Sequence, residues 1–215
     1  DFLATIRERA AEVDALIVFI HWGAEYKFAP APEDRKLAQQ MIDAGAFAVV
    51  GHHPHVLQPV EFMERSRGGR GLVVFSLGNL VSNQDFDKPA GAKRDGLLIE
   101  LELVRETPDG AVRLESVHGV PLATANTLGK GKLRNVQATL LDEELAAIEE
   151  RLVELAGRTD AATKKERKEL EARRKIGLDR RARIATFVPA DMLDPLAPEA
   201  ARAEGTQGGG QPGTP

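Results

Sequence analysis

Four of the five histidines in this 215-residue chain stand at two places. His21 directly follows the apolar run Leu16 to Ile20, and His52, His53 and His55 directly follow Phe47 to Val50. Imidazole nitrogen is a good ligand for zinc, iron, manganese or nickel at neutral pH. A His-x-His pair in extended chain sends both rings to one side, because strand side chains alternate with period two. His53 and His55 have that relation, which turns His52 away; Pro54 between them stiffens the backbone and helps to hold their separation. A single histidine at a strand end is more often a hydrogen-bonding residue than a ligand. Three converging ones, His21, His53 and His55, point to a metal site and to metal-assisted hydrolysis. His118 stands alone and is assigned no role.

A dinuclear hydrolase also needs carboxylates, because a bridging acid holds two cations close together. Asp14 precedes its strand, at the wrong end. The acids on loops that leave the histidine-bearing edge are Glu25, Asp85 and Asp87. Glu25, four residues past His21, is placed to orient a ligand or to meet a substrate cation, or else is an ordinary loop acid. On residues alone the histidine set is an incomplete site.

Elements of a definite kind must position these side chains. Phe2 to Val13 has helical apolar spacing, and Ala15 to His21 reads as a short buried strand. Glu33 to Ala44 is helical again, with Gly45 as its C-cap, and Ala46 to Val50 is a second buried strand. Loops leaving strand C-termini are where α/β folds place their sites. Val56 to Glu64, Gly71 to Leu77, Gly96 to Val104 and Ala111 to Val120 read as strands, with Pro108-Asp109-Gly110 as a hairpin turn. The expected fold class is α/β, with mixed sheets flanked by helices and a helical segment after them. A first domain is expected over residues 1–126, a helical appendage over 127–188, and a low-complexity disordered tail over 189–215. Leu141, Leu145, Ile148, Leu152 and Leu155 recur as a helix seam. An αα-hairpin is the plain reading of that segment; a partner surface along helix 142–175 is the sharper one. The basic cluster from Arg173 to Arg183 is nearly cancelled by interleaved acids, so no nucleic-acid partner is expected.

Bulk composition narrows the classes. Hydrophobic residues make up 42% and charged residues 29%, with net charge -4, an ordinary globular balance with no pull toward nucleic acid or acidic membrane. The chain has no cysteine, which excludes disulfides and thiolate metal sites. No apolar run is long enough to span a bilayer, and no signal peptide or membrane anchor is visible.

Three segments in order, IHWGAEY (20–26), GHHPHVLQPVE (51–61) and FSLGNLVSNQ (75–84), resemble the bacterial capsule synthesis protein CapA family. The resemblance covers roughly residues 1–125. It implies a calcineurin-like metallophosphatase sandwich of α/β/β/α layers, and two divalent metal ions such as manganese, iron or zinc. It also implies an association with poly-γ-glutamate capsule synthesis or export, a polyanionic or phosphoester substrate, and a cell-envelope or extracytoplasmic location. His21 resembles the histidine of the superfamily's middle motif, a ligand with a catalytic role. His53 and His55 resemble its G-H-x-H pair, with His55 also catalytic; His52 and His53 remain alternatives for the first position. Glu25 lies in the family's HWG-x-E-Y motif and Asn79 in its S-L-G-N turn, where it would orient a ligand or cap the turn. The family's N-terminal Asp and Asn-His motifs have no counterpart here. The expectation is therefore a C-terminal half of the domain, with little turnover on its own. The alternative is a non-catalytic envelope assembly or export factor that keeps the fold and binds a partner through the C-terminal helix.

Overall fold

The computed structural model describes residues 1–82, 84, 91–128 and 134–194. Helix α1 (Phe2–Ala10) is capped by the Asp1 carboxylate, which accepts from Leu3 N at 3.2 Å. Strand β1 (Ile17–His21) leads to α2 (Pro32–Asp43), whose proline sits where its missing N–H costs nothing. Strands β2 (Ala48–His52), β3 (Leu57–Glu64) and β4 (Arg70–Leu77) complete a four-stranded sheet of order β1-β2-β4-β3. β1, β2 and β4 are parallel and β3 is antiparallel to β4, so the C-terminal ends of β1 and β2 open onto one edge. The register aligns His21 directly with His52.

One face of this sheet packs on α1 and α2 through Ile6, Met41, Ile42, Val49, Val73 and Phe75. The opposite face, with Val50, Leu57, Leu72 and Val74, meets a second sheet. That sheet has the order β5-β6-β7, with β5 (Asp95–Val104), β6 (Arg113–Leu128) and β7 (Arg134–Leu140), all antiparallel. In β5, Asp95 and Leu97 are buried while Leu98, Glu100 and Glu102 are exposed, the period-two pattern of a half-covered sheet. The fold is mixed α/β, as expected.

Several elements differ from the expectation. β1 is an edge strand, not a buried one: Phe19 is 69% exposed, because β1 pairs only with β2. β6 runs through residues 121–126, where a domain end was expected, and pairs with β7 inside the segment read as helical. Helices α3 (Leu141–Glu154) and α4 (Ala161–Ile184) follow as an antiparallel pair. They are no appendage: Leu141, Leu145 and Ile184 are buried in the same core as Leu97 and Ala123. The seam leucines thus face inward, as apolar periodicity alone cannot specify. The chain after α4 turns back, with Phe187 O accepting from Val60 N at 2.8 Å and Met192 buried. Met192 and Leu193 of the expected tail are therefore packed on the core, and 195–215 lie outside the described residues. Among the described residues, no helix is long and apolar enough to cross a membrane.

Gly51 shows how tightly β2 is held beneath the histidines. A Cβ there would lie 2.2 Å from Phe75 O and 2.3 Å from Trp22 Nε1. Trp22 Nε1 donates to Phe75 O at 2.9 Å in the same space. Gly51→Ala is expected to lower stability by about 1–3 kcal/mol through overpacking, read as a lower urea midpoint with unchanged slope.

Candidate metal centre

The histidines meet at the open edge, though not by strand alternation. β2 ends at His52, and His53 and His55 both have left-handed backbone, φ 105° and 59°. Such φ values are uncommon outside glycine and persist only where the surroundings enforce them. Tyr26, with φ 62°, is a third, and its N–H donates to Pro54 O at 2.7 Å, tying the HWGAEY loop to the GHHPH turn. That bond carries Glu25 to the histidines. Glu25, His53 and His55 each present a ligand atom within 4.8 Å of the others, the one such three-residue group among the described residues.

His21 and His52 form a separate pair. Their Nδ1 atoms are 3.2 Å apart, so one donates and the other accepts, and the two rings have opposite tautomers. His52 was expected to face away from the site; it turns instead onto His21, because the chain leaves extended geometry at His53. The His21 ring also lies 4.3 Å from that of His53 and so stands beside the three-donor group without joining it. Asp85 and Asp87 lie outside the described residues.

Asn79 determines the chemistry of His55. Its Nδ2 donates to the backbone oxygens of Lys93 at 2.8 Å and His55 at 3.0 Å, which can only accept. Oδ1 must therefore be the atom 2.9 Å from His55 Nδ1, and that nitrogen must carry the proton. In the neutral ring Nε2 then carries the lone pair, and it lies 4.0 Å from Glu25 Oε1. A ring fixed through one nitrogen so that the other can ligate is the usual outer-shell arrangement of metal histidines. The turn-cap alternative for Asn79 is only part of its role.

Tyr26, Lys93 and Gln84 were not singled out from sequence. The Tyr26 ring stacks on His55 at 6.0 Å, Lys93 Nζ lies 4.0 Å over the Tyr26 ring, and Gln84 Nε2 donates to Tyr26 Oη at 3.3 Å. Tyr26 lies within the HWGAEY segment, so adjacency was its only signal; Lys93 had none. In this centre Glu25 is exposed and His53 and His55 are half-buried. A cavity of about 550 Å³, lined by Phe47, Phe62 and Leu72 among others, lies at the N-terminal ends of β2 and β4, away from the histidines.

Desolvation, then the neighbouring His53, His52 and His55, holds His21 below the ordinary histidine range. With the folded value below the unfolded one, the unfolded chain takes the proton first. Stability is unaffected well above about pH 6.5 and declines as pH falls below it, until folded His21 itself protonates. A His21 NMR titration midpoint below about 6.5 is expected, moving upward in His53→Ala; a midpoint unmoved by that substitution would contradict the contact.

The donor set fits a divalent cation: two imidazoles and a carboxylate leave positions open, as in catalytic sites. A second cation fits less well, because His21 and His52 bond to each other and no carboxylate completes a three-donor group with them among the described residues.

Residues 1–84 match the family described as bacterial capsule synthesis protein PGA_cap. The chain is 41% identical over 103 residues to the PGA biosynthesis protein CapA of Bacillus subtilis (strain 168), covering 47% of this chain and 24% of that protein. It is 37% identical over 95 residues to the capsule biosynthesis protein CapA of Bacillus anthracis, covering 44% and 21%. A probable polyglutamine synthesis accessory protein of Mycobacterium tuberculosis is 44% identical over 48 residues, 22% of this chain and 13% of that protein. The chain thus spans about a quarter of the length of the two CapA relatives. The matched segment contains His21, Glu25, His53, His55 and Asn79, and over that segment the chain is similar to the bacterial capsule synthesis protein family.

Proposed function

We propose that Glu25, His53 and His55 hold a divalent cation in a phosphoesterase-type hydrolase that serves capsule or poly-γ-glutamate synthesis or export. The observation that carries this reading is the placement of the His55 ring, with Nδ1 2.9 Å from Asn79 Oδ1 and Nε2 4.0 Å from Glu25 Oε1. A cation held there supplies Lewis acidity toward a phosphoryl or carbonyl oxygen. His21 is kept neutral near pH 7 beside that group, so its ring is suited to accept a proton from an attacking water. The Lys93 ammonium over the Tyr26 ring, which itself stacks on His55, adds positive charge on the side where an anionic substrate would lie. The relatives' names supply the association with capsule synthesis.

Metal analysis and calorimetric titration of the 215-residue chain with Zn²⁺ and Mn²⁺ test the reading. One cation per chain is expected, with negligible hydrolysis of an activated phosphodiester by this chain alone. Failure to bind any cation would sink the metal reading. Robust turnover would refute the view that the described donor set falls short of a dinuclear centre.

One observation favours a second reading, a non-catalytic assembly or export factor: a single three-donor group stands among the described residues. Its partner surface would be the outward side of α3 and α4, where Val153 and Ile176 are exposed. Full capsule export supported by a protein carrying His53→Ala and His55→Ala would favour that factor over the hydrolase.

A further inference from the structure

Asp95 is a carboxylate at the start of β5 with only 3% of its side chain exposed. Arg180 Nε donates to its Oδ1 at 2.7 Å, and Arg183 Nε donates to its Oδ2 at 2.7 Å, with the Arg183 Nη2 paired ionically to the same oxygen at 2.6 Å. Arg180 also donates from Nη2 to Arg94 O. Both arginines lie on α4, more than eighty residues along the chain and outside the family match of residues 1–84.

The main chain of Asp95 leads directly to the metal centre. Its carbonyl accepts from Asn79 N at 3.2 Å, and Lys93 O, two residues earlier, accepts from Asn79 Nδ2 at 2.8 Å. The crossing of β4 and β5 here has no room for side chains. A Cβ on Gly78 would lie 2.5 Å from Asp95 O, and one on Gly96 would lie 2.4 Å from Asn79 O. Asn79 is thus gripped at its backbone and side chain by the segment that the two arginines clamp, and it orients His55.

We infer that the α3–α4 hairpin is part of the metal centre: Arg180 and Arg183, acting through Asp95 and Asn79, are positioning residues that keep His55 in its ligating tautomer and orientation. The inference rests on the metal-centre reading above and extends it to a helical pair that the family match does not include. A guanidinium pair is suited to the task, because its planar forks fix the direction of a carboxylate as a single ammonium does not.

The test compares Asp95→Asn with Asp142→Asn. Asp142 accepts from Arg181 Nε at 2.9 Å and ties α4 to α3 at a point separate from the Arg180 and Arg183 bonds to Asp95. Both substitutions weaken the attachment of α4, but only the first acts on Asn79. Long-range ¹⁵N NMR at pH 8 reads the His55 tautomer without metal, and titration with Co²⁺ reads affinity and the visible ligand-field spectrum. Asp95→Asn is expected to mix the His55 tautomers, to weaken Co²⁺ binding by about tenfold, and to alter the spectrum. Asp142→Asn is expected to lower the unfolding midpoint and leave all three unchanged.

Wild-type tautomer and affinity in Asp95→Asn would overturn the inference, and so would equal changes in both variants. If Asp95→Asn does not fold, Arg183→Gln removes one guanidinium, leaves Arg180 in place and is judged by the same criteria. If the wild-type chain binds no Co²⁺, the metal reading fails by itself, and the tautomer comparison still decides whether α4 governs His55.

Discussion

Replacing His53 by alanine is expected to lower divalent-cation affinity by at least about a hundredfold, about 2.8 kcal/mol. Three protein donors converge among the described residues, and removing one leaves a carboxylate and an imidazole that cannot enclose the ion. Comparison with its neighbours makes the experiment discriminating. The three histidines expected from sequence were His21, His53 and His55, whereas the proposed donor set has Glu25 in the third place, because its carboxylate is grouped with His53 and His55. Glu25→Gln should therefore lose nearly as much affinity as His53→Ala, because a neutral amide is a poor replacement for a carboxylate ligand. His21→Ala should lose much less, since His21 lies beside the group and bonds to His52. Calorimetric titration with Zn²⁺ at pH 8 reads all three. A large loss in His21→Ala with none in Glu25→Gln would restore the all-histidine set and refute the one described here.

Phe75→Ala is expected to cost about 3–5 kcal/mol, a large share of the stability of a domain of this kind. Phe75 is fully buried on β4, stacked against Trp22 at 5.6 Å, with the Arg35 guanidinium 4.9 Å from its ring centre. Truncation would open a cavity between the sheet and α2. It would also loosen Trp22, whose indole N–H is held by the Phe75 carbonyl and whose main chain leads from His21 into the HWGAEY loop. Urea unfolding should show a much lower midpoint. Phe75→Leu, which keeps most of the volume, should recover more than half of the loss. An alanine variant within about 1 kcal/mol of wild type would mean that this core is less tightly packed than described.

Much of the architecture was legible in local pattern. Period 3.6 marked α1, α2 and α3, and apolar runs marked β1 and β2 within two residues. The turn Pro108-Asp109-Gly110 marked the join of β5 and β6. Placing His21 and His52 at the ends of adjacent parallel strands needed only those two runs. Periodicity says which side of an element is apolar, however, and not what covers it. The edge position of β1, the pairing of β7 with β6 and the inward packing of α3 and α4 therefore came from contacts distant in sequence.

The donor set divides in the same way. Sequence by itself determined that imidazoles gather at one sheet edge, because histidine is scarce in this chain and clustered after two strands. Tertiary structure decided which atoms converge. Left-handed backbone at Tyr26, His53 and His55 overrides strand alternation, and the bond from Tyr26 N to Pro54 O swings Glu25 toward His53 and His55. Asn79 and the segment behind it then select the nitrogen of His55 that is free to ligate. The physical reason is that a side chain's direction follows from φ, ψ and hydrogen bonds, and here these are enforced by partners tens of residues away.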